Sequence, residues 1–519
     1  MPFTAPSPRH RRFAAAALAS LAVVPIAGCG SSDSSSAGSN ADLAALAPAT
    51  SLAYVQATLA PDGDQKEAVD AVSSKVLREK DPATAIQRSY DKSNGAGSYA
   101  KEIEPWLGDE AAVVVTGVQQ GADDPDVAVL VEPEDDPQQG VDAIVKSSKT
   151  PTKKGSYGGT DFVQGDDFLT GVVKDEVVIA STPAAFRAVV DASKTDGLDK
   201  KVDFKNTMDA LPGDPIGSAW VDVKRVFQIA AQRDPSVAAQ SQTIERSIGK
   251  LRGVGVGLDL TKTSIKLTSV ALGAPASSGD AATSAASLPA GSWLAAGLGD
   301  VGASLTKGLQ QLQAGGGADA RQVQQGLAQI KQQTGIDVQQ DLLSWMGEGG
   351  IFVRGSGITD IGGALVVTTK DPATTKASLV KVRRLVEQAG QKTTDLSGNG
   401  VDEGFSITPS GAPVEVLVAT GGTKVVVAVN RAALQEALST TRPLSDDPAF
   451  KAAGEALGDG VKPSFFLDVR TVVSLASLAA GSDPSFQQAR PYLDAFTTIA
   501  GGGSRDGDVA KQTLAIGLR

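Results

Sequence analysis

The segment SAWVDVK (residues 218–224) occurs a second time in the chain, as SFFLDVR (residues 464–470). In both copies a short run of apolar residues ends in an Asp, and a helical pattern follows. This order predicts a β-strand that leads directly into a helix. Asp222 and Asp468 are expected to cap these helices, since a carboxylate accepts hydrogen bonds from the free N–H groups of a first helical turn. The alternative is that they form part of a polar site.

Further pairs of motifs lie in the same order on either side of residue 280, about 240 residues apart. The conserved order predicts a duplication, with repeats over residues 42–273 and 288–519. The small and polar stretch 274–287 is typical of a linker. The pairs are Pro48-Ala49-Thr50-Ser51 with Pro289-Ala290-Gly291-Ser292, Trp106-Leu107-Gly108-Asp109 with Trp345-Met346-Gly347-Glu348, Asp136-Pro137 with Asp371-Pro372, Val177–Ala180 with Val425–Ala428, and Phe204 with Phe450.

The pattern within each repeat predicts an α+β fold with a mostly antiparallel sheet and helices between the strands. Ala111–Thr116 and Val127–Val131 are Val-rich runs separated by polar turn residues, as in a hairpin. Two further strand segments are expected near Thr160–Gln164 and Phe168–Ala180. Pro183 is expected to start a helix, because Pro is tolerated in the first turn.

Trp106 and Trp345 occupy matching places in the two repeats, although the chain has only four Trp residues. We expect each to anchor a helix on the sheet, because a buried indole covers a large apolar area. The alternative is that they form a wall of an apolar pocket.

The N-terminus has the three zones of a secretory signal peptide. A basic stretch ends at Arg12, and a 14-residue apolar run follows over Phe13–Ile26, too short to span a bilayer. Ile26-Ala27-Gly28-Cys29 resembles the lipobox of bacterial lipoproteins, which implies cleavage after residue 28 and a diacylglyceryl group on Cys29. Export by the general or the twin-arginine route stays open.

The segment that follows Cys29 is nearly all Gly, Ser, Ala and Asn, so residues 29–41 are expected to form a lipidated, flexible tether. Acyl chains on Cys29 would hold the protein at the extracytoplasmic face of the cytoplasmic membrane. The expected partner is that membrane, and a lipid or an envelope protein is a further candidate.

Composition excludes several classes of function. Removal of residues 1–28, which contain three Arg and no acid, leaves 491 residues with a formal net charge of −14. Such a body repels phosphate and is not expected to bind nucleic acid. The only His, His10, leaves with the signal peptide, and the only Cys is Cys29. Ser-His-Asp and Cys-His catalysis and His-ligated metals are therefore excluded, and no metal or cofactor is expected.

The chain resembles a bacterial family known as domain of unknown function 3352. The resemblance covers roughly residues 42–519 and is carried by the Pro-Ala-x-Ser motifs at Pro48 and Pro289, by Gly335-Ile336-Asp337 running on to Trp345-Met346-Gly347, by Asp371-Pro372 and by the repeated strand-Asp-Val segments. It implies an envelope protein, often membrane-attached. The family has no established activity, so it implies no catalytic residue.

We therefore expect a lipid-anchored envelope protein that is not an enzyme and acts as a binding or scaffolding module. The first alternative is a lipid or glycolipid carrier, since Val- and Leu-rich sheets with only 4% aromatic residues could enclose an apolar cavity. The second is a carboxylate-dependent hydrolase, which needs two facing acids in a cleft.

Overall fold

The computed structural model describes residues 41–79, 82–95, 97–119, 124–148, 150–235, 237–238, 250–276, 279–314, 317–398, 400–408 and 415–519. The predicted signal peptide, Cys29 and nearly all of the predicted tether lie outside these ranges. Within them, no helix combines the length and apolar character that crossing a membrane requires. The chain forms two compact units. Unit 1 comprises the described residues of Met1–Ala239 with Lys250–Ala274 and Asp506–Lys511, and unit 2 comprises mainly Pro275–Arg505 and Gln512–Arg519.

The described part of unit 1 contains ten strands, and the pairings of these strands with one another are antiparallel. They are β1 (Ala53–Thr58), β2 (Leu107–Val118), β3 (Pro125–Pro133), β4 (Lys153–Tyr157), β5 (Thr160–Gln164), β6 (Leu169–Val173), β7 (Glu176–Ala180), β8 (Gly217–Asp222), β9 (Gly253–Thr261) and β10 (Ser264–Leu272). Their order in the sheet is β4-β5-β6-β7-β3-β2-β1-β8-β9-β10.

The helices of unit 1 cover both faces of this sheet. One face carries a core that contains Tyr54, Phe186 and Trp220, all fully buried. The opposite face carries a smaller core around Trp106. The helices are α1 (Ala41–Leu46), α2 (Gly63–Val72), α3 (Pro82–Asn94), α4 (Ser98–Glu102), α5 (Pro137–Ser147), α6 (Pro183–Ala192), α7 (Val202–Met208) and α8 (Val223–Arg233), with a π-helical turn at Ser73–Leu77 and a 3-10 turn at Leu198–Lys200.

Unit 2 also contains ten strands in its described part. They are β11 (Ser292–Asp300), β12 (Met346–Arg354), β13 (Gly362–Thr369), β14 (Thr393–Asp395), β15 (Glu403–Ile407), β16 (Val416–Gly421), β17 (Lys424–Ala428), β18 (Pro463–Asp468), β19 (Phe496–Asp506) and β20 (Val509–Leu518). Their order, β14-β15-β16-β17-β13-β12-β11-β18-β19-β20, is that of unit 1 with each strand number raised by ten. Common ancestry of the two units stays a prediction.

The helices of unit 2 surround a core that includes Phe352, Leu417 and Phe466. They are α9 (Ala281–Ala286), α10 (Val301–Ala314), α11 (Gly317–Thr334), α12 (Pro372–Gln388), α13 (Arg431–Leu438), α14 (Pro448–Leu457), α15 (Val469–Ala480) and α16 (Pro484–Leu493), with a π-helical turn at Val338–Leu343 and a 3-10 turn at Leu444–Asp446.

The predicted α+β class with mostly antiparallel sheets is confirmed, but two local elements differ from expectation. Phe168–Ala180 is a hairpin of two strands, whose turn places Lys174 and Asp175 at φ values of 47° and 70°. The turn lacks the Gly that usually marks this left-handed conformation. The stretch 274–287, expected to be a linker, contains α9. Asp280 caps this helix by accepting a hydrogen bond from the Thr283 N–H.

Candidate functional site

Three polar side chains form a row across neighbouring strands of unit 2. Thr368 on β13 lies directly opposite Lys424 on β17, so their side chains point to the same face. The Thr368 hydroxyl donates to the backbone oxygen of Glu348 on β12, at 3.0 Å. Neighbouring strands are about 4.8 Å apart, so the Cα atoms of Glu348 and Lys424 are separated by about 10 Å. A carboxylate and an ammonium group therefore stand at the two ends of the row.

This row lines a cavity of about 280 Å³ within unit 2. Three walls line this partly open cavity: the C-terminal half of α9 with the residues that follow it, the sheet, and the end of α13. Its lining combines apolar side chains with hydroxyl and charged groups. The lining residues are Thr283, Ser284, Ser287, Leu288, Pro289, Glu348, Gly349, Gly350, Val366, Thr368, Lys424, Ala437 and Thr440.

The cavity depends on where α9 lies. A Cβ atom added to Gly297 on β11 would come within 1.7 Å of the Ala281 backbone oxygen, so only Gly permits α9 to pack directly on this strand. By the offset of the Pro-Ala-x-Ser motifs, Gln56 on β1 is the counterpart of Gly297. There α1 packs instead against α6 and the Leu198–Lys200 turn. The cavity lies between α9, the sheet and α13.

The two charged groups of the cavity are held in different ways. The Lys424 Nζ donates to the Ala437 backbone oxygen at 2.8 Å and to the Thr440 Oγ1 at 3.4 Å, and burial lowers the pKa of its amine. Glu348 accepts hydrogen bonds from the Ser284 hydroxyl at 2.9 Å and from the Asp280 N–H at 3.3 Å. Glu348 is thereby fixed beside α9, while Lys424 is fixed beside α13.

In unit 1 the corresponding strands carry only acids in this row. The Trp motifs align Glu348 with Asp109, but by strand pairing its counterpart is Glu110 on β2, because Ala111 pairs with Val131 on β3 as Gly349 pairs with Val367 on β13. Glu132 lies next to Val131 on β3. Glu176, the residue before Val177 on β7, faces Glu132 because Val131 and Val177 pair. The Glu110 carboxylate accepts a hydrogen bond from the Gln56 Nε2 at 2.6 Å, and the Gln56 Oε1 accepts one from the buried Tyr54 hydroxyl at 2.7 Å. Burial, followed by the charge of Glu132, raises the pKa of Glu110 to about 7.

The Glu110→Gln variant is expected to change how stability depends on pH. The folded-state pKa of Glu110 lies above the ordinary value of 4.5, so its ionisation opposes folding. The contribution of this carboxyl to the unfolding free energy is fully present below about pH 4.5. It is lost as the pH rises to about 7, where the carboxyl of the folded protein also ionises. Gln keeps the acceptor for Gln56 and removes the charge. The gain in unfolding free energy at pH 8 should be on the order of 1–2 kcal/mol after allowance for solvent screening.

Urea unfolding of both proteins at pH 4.5, 6 and 8 measures this difference. Glu134→Gln is the matched control, because Glu134 is exposed and lies two residues from Glu132. An equal gain from Glu110→Gln at all three pH values would contradict the assigned origin of the effect.

Trp106 and Trp345 are both buried, with 5% of each residue exposed. The Trp106 indole N–H donates to the Glu102 backbone oxygen at 2.7 Å, and the Trp345 indole N–H donates to that of Asp341 at 2.9 Å. Each Trp thus ties the helical segment before it to the sheet, and neither lines the cavity. Gly140 on α5 packs directly on the Trp106 ring.

Asp222 and Asp468 both stand at the N-cap of the helix that follows their strand. Asp222 accepts from the Arg225 N–H at 2.8 Å and pairs with the Lys201 amine at 2.6 Å. Asp468 accepts from the N–H groups of Arg470 and Thr471. Neither carboxylate lines the cavity.

Neither Glu348 nor Lys424 was predicted from the sequence as a site residue. The sequence signal that could have identified Lys424 is a change of charge between matching positions of the two repeats. Lys424 precedes the repeated Val strand in the second repeat, where the first repeat has Glu176. Over the described ranges, no group of three or more His, Cys, Asp or Glu residues is placed to hold a metal ion.

The fold and the site together define an α+β protein of two antiparallel units, and unit 2 contains a small, mainly apolar cavity with a few polar groups. The chain belongs to the family described as "Protein of unknown function (DUF3352)", whose model matches residues 13–506. No curated protein matches the chain. Among solved structures, crystal form III of TP0453 matches with 7% identity and a TM-score of 0.25, covering 45% of this chain and 80% of that one. Crystal form I matches with 8% identity and a TM-score of 0.24, covering 45% and 79%.

Proposed function

We propose that this protein is a non-enzymatic binding module of the cell envelope, held at the extracytoplasmic face of the membrane by acyl chains on Cys29. The observation that carries the proposal is the cavity of unit 2, with Glu348 and Lys424 in its lining. The lipobox-like segment ending at Cys29 supports the location. Membership of a family without an established activity is compatible with both parts.

The cavity has the properties of a site for a small molecule. Its volume of about 280 Å³ lies near the lower limit for pockets that hold small ligands. Leu288, Val366 and Ala437 supply apolar contact, while a few polar groups can fix the orientation of a ligand. A lipid or glycolipid carrier needs a larger and more apolar space, so this site favours the binding of a small solute.

Replacement of Thr440 by Trp is expected to abolish ligand binding to unit 2. Thr440 lines the cavity beside Lys424, and an indole there would fill much of its volume. Ser439→Trp is the matched control, because Ser439 is the neighbouring residue, is exposed and does not line the cavity. The measurement is a screen of small polar fragments against the methyl NMR signals of Leu288 and Val366. Fragments that shift these signals equally in both variants would contradict a site at the cavity.

A carboxylate-dependent hydrolase is the second candidate, and the raised pKa of Glu110 favours it. General acid–base pairs place a carboxyl group with a raised pKa beside a second carboxyl group, as Glu110 lies beside Glu132. The test is whether the purified chain turns over an ester, a peptide or a glycan. Turnover that is lost in Glu110→Gln would establish this function and overturn the proposal of a binding module.

A further inference from the structure

We propose that the cavity of unit 2 binds a small zwitterion of the α-amino-acid class with an apolar side chain. This inference rests on the proposed binding function and names its ligand. It is carried by the placement of one ammonium and one carboxylate on the walls of the same cavity, whose lining also contains apolar side chains.

Lys424 is the group that would receive the ligand's carboxylate. An ammonium has three donors, and Lys424 uses two of them on the Ala437 oxygen and the Thr440 hydroxyl. Both acceptors are uncharged, and burial alone shifts the amine toward its neutral form. A carboxylate at the third donor would supply the missing opposite charge and would favour the charged amine.

Glu348 is the group that would receive the ligand's ammonium. A carboxylate offers about four acceptor positions. The Ser284 hydroxyl and the Asp280 N–H take one position on each oxygen, so acceptor capacity remains. The two hydrogen bonds also hold the carboxylate in place, which reduces the conformational entropy that a ligand must remove.

The mixed charge selects against simpler ions. An anion that reached Lys424 would share the cavity with the carboxylate of Glu348, and a cation at Glu348 would share it with the Lys424 ammonium. A like charge on the wall of the same small cavity weakens binding of either ion, so only a ligand with both charges satisfies both walls. Leu288 and Val366 line the same cavity and can contact an apolar side chain.

Unit 1 provides an internal comparison. Its corresponding row is Glu110, Glu132 and Glu176, which has one sign of charge, and the buried Tyr54 and Gln56 occupy positions where unit 2 has Ala295 and Gly297. Unit 2 therefore combines the opposite charges with small residues, Ala295 and Gly297, at these two positions.

Calorimetric titration of the full chain with three probes tests the inference. L-Leucine carries both charges, 4-methylpentanoate only the carboxylate and 3-methylbutylamine only the ammonium. We expect leucine to bind at least about tenfold more tightly than either analogue. Lys424→Met and Glu348→Gln should each weaken leucine binding at least about tenfold. Lys451→Met is the matched control, because Lys451 is exposed on α14 and lies outside the cavity. Thermal unfolding shows that each variant is folded.

The outcomes separate this inference from the function on which it rests. If either analogue binds as tightly as leucine, or if leucine binds equally well to Lys424→Met, the inference of a zwitterionic ligand is wrong. The proposal of a binding module is then unaffected. The same conclusion follows if leucine does not bind, while other fragments shift the Leu288 and Val366 signals and Thr440→Trp removes these shifts. If no fragment of any charge binds the cavity, both proposals are overturned.

Discussion

Gly297→Ala is expected to destabilise unit 2 by about 2–3 kcal/mol, although it adds a single methyl group. The added Cβ would lie 1.7 Å from the Ala281 oxygen and 2.8 Å from the Ala285 nitrogen, and both atoms belong to the backbone of α9. Backbone atoms cannot move aside as a flexible side chain does, so the helix must leave the strand. The fully buried Ala285 and the nearly buried Ser284 would lose their contacts with it.

Gly326→Ala is the matched control for this substitution. Gly326 lies within α11, and a Cβ there meets nothing within 4 Å. Because Ala favours helix and Gly does not, this variant should gain about 0.5–1 kcal/mol. The same chemical change is thus expected to have opposite signs at the two positions. Urea unfolding and hydrogen exchange of β11 measure both, and a neutral Gly297→Ala would contradict the close packing of α9.

The second large effect is expected in unit 1, where Trp220→Ala should cost about 3–5 kcal/mol. Trp220 is fully buried on β8 and packs edge to face with Phe204 at a centroid distance of 5.4 Å. The Lys201 amine lies 5.0 Å above its ring and bonds Asp222 and the Ala49 oxygen. Truncation therefore leaves a large cavity and removes the aromatic surface that positions this lysine.

Two further variants define the origin of this loss. Trp220→Phe should cost less than about 1.5 kcal/mol, because Phe466 occupies the corresponding place in unit 2 and packs on Phe450 in the same way. Val221→Ala, on the neighbouring and 36% exposed residue, should cost less than about 1 kcal/mol. Hydrogen exchange of the β1 and β8 amides reports on unit 1 directly. Equal losses from Trp220→Ala and Val221→Ala would show that burial is not the cause.

Local patterns in the sequence predicted a large part of the fold. The β2–β3 hairpin follows from two Val-rich runs separated by a polar turn, and the helix that begins at Pro183 follows from the tolerance of Pro in the first turn. Each of these signals acts within about ten residues, where backbone preference and capping decide the structure.

Other elements depended on contacts that are distant in sequence. The turn at Lys174 and Asp175 adopts a left-handed conformation without Gly, so the pattern did not divide β6 from β7. Helix α9 is short and rich in Ala, and it is stabilised by packing on Gly297 rather than by its own periodicity. The cavity depends on this packing in turn, so Glu348 and Lys424 are brought together only by tertiary structure.

The carboxyl of Glu110 also makes folding a proton-consuming reaction. Between about pH 4.5 and 7 the unfolded chain has released this proton while the folded chain retains it, so unfolding transfers a proton to the buffer. The calorimetric enthalpy of unfolding in that range therefore includes the protonation enthalpy of the buffer. Measured in phosphate and in Tris at the same pH, the heat of unfolding should differ, even though the protein and its contacts are the same.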